Sequence, residues 1–222
     1  MRSRPARKVA LERWLPVGLT PAESLSSLLP FLAFAAVMTG TPGPNNAMVT
    51  ASAARVGARR TMPLVLGIVL GVGLMFVAMA FGLHALLARL PILDTALRAL
   101  AAAALLWIAW KILRAGPVSG EDERPLLGFL GGASFQWINP KAWAMTGSAA
   151  TVYLPMPASV TAIVLHALLL SLVGVCLVSL WSLLGEALRR PLGRPLFARL
   201  FNAAMALLLL AATLPVLLGG AD

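Results

Sequence analysis

From residue 24 to residue 54 the chain carries no formally charged side chain, and Thr41-Pro42-Gly43-Pro44-Asn45-Asn46 sits in the middle of that run. About 20 helical residues cross the hydrocarbon of a bilayer, so a run of this length reads as a membrane span. Pro42, Gly43 and Pro44 must break that helix. Each backbone N–H or C=O freed in hydrocarbon costs several kcal/mol, so a break at this depth persists only inside protein or along a watery cavity. The hexapeptide is therefore a candidate site as well as a kink.

Five further uncharged runs follow, at 61–88, 99–110, 125–140, 142–185 and 200–221. With 59% hydrophobic and 12% charged residues in 222, the composition excludes a soluble domain. The runs at 24–54, 61–88 and 200–221 each supply one span. The run at 142–185, which contains Pro155-Met156-Pro157, closes a fourth and supplies a fifth. One more is built from about 92 to 113, where Asp94, Arg98 and Lys111 lie near the ends and reach headgroups. The expected fold is an all-α integral membrane protein of six transmembrane helices.

The net charge of +10 comes from short basic clusters beside apolar segments. The expected partner is the lipid bilayer, not nucleic acid. The loops after spans one, three and five hold ten Lys and Arg (Arg55, Arg59, Arg60; Lys111, Arg114, Arg124; Arg189, Arg190, Arg194, Arg199), whereas the opposite side holds only Arg89 and Arg98. The positive-inside rule makes the odd loops cytoplasmic and leaves both termini outside. Arg2, Arg4, Arg7, Lys8 and Arg13 oppose that orientation, so residues 1–20 read as a tail foreign to the fold, with a natural start expected near Val17.

Gly116 to Pro125 interrupts the apolar pattern and divides the membrane domain into 21–115, a cytoplasmic loop at 116–127, and 128–222. Three spans per half force the halves into opposite orientations, as inverted repeats. The first span of the second half is also broken, at Asn139-Pro140-Lys141. Broken helices at corresponding places in inverted halves point to a transporter's midplane site.

Lys141 lies near the middle of a span from about Gly128 to Tyr153, roughly 20 Å from either end at ~1.5 Å per residue. A charge there is costly and normally paired or wet. Every Asp and Glu lies in a loop, in a tail or at a span end, so the ammonium either gives up its proton or meets an anionic group brought by a solute. The sequence leaves a shallower break, with Lys141 snorkelling to the surface, as the alternative. On the first reading Lys141 binds a substrate carboxylate. The amides of Asn45, Asn46, Asn139 and Gln136 both donate and accept, which suits the rest of a zwitterion. Pro42, Gly43, Pro44 and Pro140 shape the breaks, and Gly67, Gly71 and Gly73 read as a helix-packing face.

No metal-ligand cluster, Cys pair or Ser/His/acid set stands at membrane depth, so neither an enzyme nor a cofactor or metal is expected. His84 and His166 read as structural. The single Cys176 reads as a small core hydrophobe. An ion channel or other pore is the competing function, because broken helices also build filters.

Thr41-Pro42-Gly43-Pro44-Asn45-Asn46, the glycines 67, 71 and 73, Leu105-Leu106-Trp107-Ile108-Ala109-Trp110-Lys111 and Phe135-Gln136-Trp137-Ile138-Asn139-Pro140-Lys141-Ala142-Trp143 together resemble the LysE/RhtB translocators, over about residues 20 to 218. The doubled Asn45-Asn46 and the Trp110-Lys111 ending are most similar to the cysteine and O-acetylserine exporter branch. The resemblance implies six helices and export of an amino acid or derivative driven by an ion gradient; the expected setting is a bacterial cytoplasmic membrane, with a proton as coupling ion and a homo-oligomer as the assembly, and the charge count makes the outside termini periplasmic. Many relatives carry a polar or acidic residue where this chain has Val72, and Gly and Tyr where it has Ala102 and Leu105. These departures concern the solute more than the fold.

Overall fold

The computed structural model describes residues 21–83, 86, 89–116, 125–155 and 157–218. The tail 1–20, His84, residues 117–124 of the central loop and Met156 lie outside the described residues. Among those described there is helix and no strand. In chain order the helices are α1 (Pro21–Gly40), α2 (Pro44–Val56), α3 (Ala58–Ala80), α4 (Pro91–Leu113), α5 (Phe129–Phe135), α6 (Pro140–Val152), α7 (Val160–Ala187) and α8 (Pro195–Leu218). A 3₁₀ turn, Gln136–Ile138, links α5 to α6, and another, Pro191–Gly193, precedes α8. Among the described residues three helical stretches are long and apolar enough to cross a bilayer: Ala58–Ala80, Thr95–Leu113 and Val160–Ala187.

Both sequence breaks appear as helix ends. α1 stops at Gly40 and α2 begins at Pro44, while α5 and its 3₁₀ turn stop before Asn139 and α6 begins at Pro140. Proline opens both second pieces because its fixed φ suits a helix start and its missing N–H would have lacked a partner there. Asn139 caps α6 by accepting from the Lys141 backbone N–H. Gly43 stands at the same place before α2 without a side-chain cap. Gly57, at φ +85°, makes the one-residue turn from α2 into α3, a conformation that favours glycine.

α7 packs against α1, α2 and α3, and α3 also against α2, α5 and α6, while α4 pairs with α8. Lipid tails are as apolar as leucine, so close van der Waals fit rather than water exclusion holds such a bundle together. The seams are accordingly built on glycine. A Cβ at Gly67 would collide with the Phe129 carbonyl, and one at Gly71 would lie 2.6 Å from the Ala133 carbonyl oxygen, both on α5. From the other side, a Cβ at Gly132 would lie 2.8 Å from the Leu64 carbonyl oxygen. Gly185 of α7 meets the Thr50 carbonyl of α2 in the same way, and Gly73 faces Ser171 Oγ of α7.

One expectation is overturned here. Cys176 is exposed. The buried stripe of α7 runs through Ile163, His166, Leu170, Gly174, Val178, Ser182 and Gly185, which places residue 176 on the opposite, outward face. His166 fits its structural reading: Nδ1 lies 2.8 Å from the Ala162 carbonyl oxygen of its own helix, and the ring packs edgewise on Phe31 at 4.7 Å between centroids.

Candidate functional site

Where α1 ends, its carbonyl oxygens lose their helical partners, and side chains replace them. Asn46 Nδ2 donates to the carbonyls of Thr39 (2.9 Å) and Thr41 (2.8 Å). Trp181 of α7 donates from Nε1 to Gly40 (3.1 Å). Lys141 Nζ, arriving from the second break, donates to the Thr41 carbonyl (2.8 Å), Thr41 Oγ1 (2.9 Å) and the Pro42 carbonyl (3.2 Å).

Those three acceptors match the three N–H bonds of an ammonium. The carboxylate partner that the sequence lacks is replaced by the C-terminal end of α1, the negative end of its helix dipole. Gly43 permits the approach, since a Cβ there would lie 2.9 Å from Lys141 Cδ and 3.1 Å from Nζ. Thr41 and Pro42 are exposed and Lys141 is half-buried, so this edge of the break opens on the outer surface between α1 and α6.

The amides form a second bridge. Asn45 Nδ2 donates to Gln136 Oε1 (2.9 Å), and Gln136 Nε2 donates back to Asn45 Oδ1 (3.0 Å). Asn139 Nδ2 reaches both Asn45 Oδ1 (3.2 Å) and Gln136 Oε1 (3.3 Å). Gln136 is fixed further by donating to the Gly132 carbonyl (2.9 Å). Residues 91 and more positions apart thus share one hydrogen-bonded cluster.

A cavity of about 40 Å³ adjoins these groups, a few times the ~10–15 Å³ that one water requires. Its polar lining is Thr39, Asn45, Asn46, Asn139 and Lys141, joined by Gly43, and the rest of the lining is apolar. Of the sequence candidates, Lys141, Asn45, Asn46, Asn139 and Gly43 line it. Gln136 does not: it is fully buried behind Asn45. Pro42, Pro44 and Pro140 stand at the helix ends around it, while Gly67 and Gly71 lie at the seam with α5, and Gly73 lies against Ser171 of α7. Among the described residues no group of three or more His, Cys, Asp or Glu could hold a metal.

The sequence did not mark Thr41 as a ligand of Lys141, nor Trp181 and Trp143 as hydrogen-bond donors to the breaks. Trp143 Nε1 in fact donates to the Trp137 carbonyl at the second break (2.9 Å). Trp143 stands two residues after Lys141, which was the available signal for it, whereas Trp181 lies 141 positions from Gly40 and carried none.

The model of the LysE type translocator family matches residues 36–220. A cysteine/O-acetylserine efflux protein of Salmonella typhimurium is 30% identical over 185 residues, 81% of this chain and 91% of that protein. Proteins of the same description from Klebsiella pneumoniae (28% over 165 residues, 72% and 82%) and Escherichia coli O139:H28 (27% over 182 residues, 81% and 92%) are also similar. No solved structure matches the chain. Two proline-opened half-helices joined by amides and a lysine, apolar spans around them, and a family model that covers both breaks lead to one assignment: the chain belongs to the LysE type translocator family.

Proposed function

We propose that the protein is a secondary exporter that carries a small amino acid or amino-acid derivative out across the bacterial cytoplasmic membrane, by alternating access and at the expense of a proton gradient. Its family is one of transporters and not of enzymes. Similarity to cysteine/O-acetylserine efflux proteins supports the class of solute. The observation that carries the reading is the cavity between the two breaks, where one ammonium and three asparagine amides converge with no carboxylate among the described lining residues.

In this reading residues 21–115 and 128–222 are inverted three-helix halves, with both termini periplasmic and 116–127 cytoplasmic. Helix packing supports the division. Exchanging α1–α2 with α5–α6, α3 with α7 and α4 with α8 turns the contacts of α7 with α1 and α2 into those of α3 with α5 and α6. The α3–α7 and α4–α8 contacts map onto themselves. Lys141 then has two sets of acceptors. Without solute it holds the Thr41 and Pro42 oxygens of the opposite half. A solute carboxylate displaces them, being the stronger acceptor, and so loosens the contact between halves when the site is loaded. Asn45, Asn46 and Asn139 take the remaining polar atoms of the solute, with Gln136 holding Asn45 in place.

Counterflow of labelled amino acids in proteoliposomes, with and without a pH gradient, tests the function. Saturable exchange that responds to the gradient is expected. Ion current without exchange would move the assignment to a pore. Lys141→Met tests the site: loss of a hydrogen-bonded charge, worth about 1.5–3 kcal/mol, should weaken apparent affinity roughly 10- to 100-fold, and unchanged affinity would remove Lys141 from the binding set.

A further inference from the structure

The groups above account for the solute's backbone atoms and leave its side chain unassigned. Away from Lys141 and the amides, the cavity is walled by Val69 and Val72 of α3, Met145 of α6, and Leu170, Gly174 and Val178 of α7. All six are buried. Among the described residues Lys141 is the only ionisable side chain in the lining; none of the apolar lining residues could pair a charged side chain, and an unpaired charge against them would be strongly disfavoured.

The position of this wall is fixed by its flanks. Gly71 lies against the Ala133 carbonyl and Gln136 of the second half, and Gly73 lies against Ser171 of α7. Successive helix positions are turned by about 100°, so Val72 points between those two seams, into the cavity, and α3 cannot rotate it away without breaking a seam. Gly174 of α7 packs directly on Val69 of α3: an added Cβ would lie 3.2 Å from Cγ2, tighter than ordinary contact, and would push the Val69 side chain aside.

Building on the exporter reading, we infer that Val69, Val72, Met145 and Gly174 form the side-chain subsite and select solutes whose side chain is short and uncharged, with Val72 and Gly174 setting its depth. The lining is aliphatic and thioether, so contact and fit rather than hydrogen bonding discriminate. In a fitted apolar pocket one methylene is worth about 10- to 200-fold in discrimination.

The test is competition in proteoliposome counterflow with labelled L-cysteine, kept reduced, as tracer. For the unmodified protein, L-alanine and L-serine should displace the tracer at least about tenfold better than L-leucine, L-lysine or L-glutamate. Val72→Ala deepens the subsite and should narrow the alanine–leucine gap by about tenfold, whereas Gly174→Ala makes it shallower and should widen that gap. A merely structural role would lower exchange in both variants without reordering the competitors. Equal competition by leucine or lysine in the unmodified protein, or one unchanged ranking in both variants, overturns the subsite. Absence of exchange with every amino acid would overturn the exporter reading and this inference with it.

Discussion

α2 and α6 are both 13 residues long and both open on a proline at a helix break, yet their surroundings differ. Eleven residues of α2 are buried, from Pro44 to Val56, against five of α6. α2 is turned back on α3 by Gly57 and is enclosed by α7 and α8 as well, whereas α6 leans on α3 and α1 and, among the described residues, makes no comparable contact with α7. The two proline-opened helices are therefore not in equivalent surroundings. On the alternating-access reading, the thick α2 layer seals the side that the basic loops assign to the cytoplasm. The α1–α6 layer of Phe31, Ala35, Ala142 and Met145, with Thr41 and Pro42 exposed at its edge, is the thinner seal. The opposite state would bury α6 as α2 is buried now.

The glycine seams offer the largest effect by which this comparison can be broken. Gly67→Ala drives a methyl into the Phe129 backbone and Gly185→Ala into that of Thr50, and each should lower stability by about 3 kcal/mol, the upper end for overpacking. Gly147→Ala, which meets nothing within 4 Å, should be near neutral. Thermal unfolding in detergent reads all three, and a Gly67→Ala midpoint equal to that of Gly147→Ala would mean the α3–α5 seam is looser than described.

Asn45→Ala should have a smaller effect. It strips Gln136 and Asn139 of their shared partner across the halves and should cost about 1–2 kcal/mol, within the range for orphaned buried polar groups. Because the cluster joins the two breaks, crosslinking yield between engineered cysteines on α2 and in the 3₁₀ turn Gln136–Ile138 should fall as well. Full stability with unchanged crosslinking would show that the amide bridge does not couple the halves.

The finest contrast separates the two tryptophan bonds. Trp181→Phe removes a bond from α7 to the Gly40 carbonyl of the other half, while Trp143→Phe removes one confined to the second break. Each should cost about 0.5–1.5 kcal/mol, but only Trp181→Phe should also alter exchange rate, since only that bond spans the halves. Equal effects on exchange would remove this distinction.

Much of this architecture was legible from charge spacing and helix breakers. Pro44 and Pro140 announced the starts of α2 and α6, and the expected third span at about 92–113 corresponds to Pro91–Leu113. The direction in which side chains face was not legible. Cys176 was expected inside and faces out; Gln136 was expected in the cavity and stands behind it; Lys141 was expected to lack a partner and holds three oxygens of the first break. In a soluble helix a polar stripe marks the outer face. Here Leu168, Leu172, Leu180 and Leu183 of α7 are exposed while Leu170 is buried, so hydropathy does not separate the two sides.

By itself the sequence determined where the uncharged runs lie, where prolines break them, which ends carry the basic residues, and that Lys141 stands between two long uncharged runs without an acid beside it. Uncharged length and proline position suffice for that, because the cost of charges and freed peptide groups in hydrocarbon acts locally along the chain. Tertiary structure alone decided that the oxygens freed at one break answer the ammonium of the other, that Asn45 and Gln136 exchange hydrogen bonds, and that Val72 faces the cavity between two glycine seams. These depend on helix azimuth and on contacts between residues about 100 positions apart, and a chain whose inside is no more apolar than its outside carries no local signal for either.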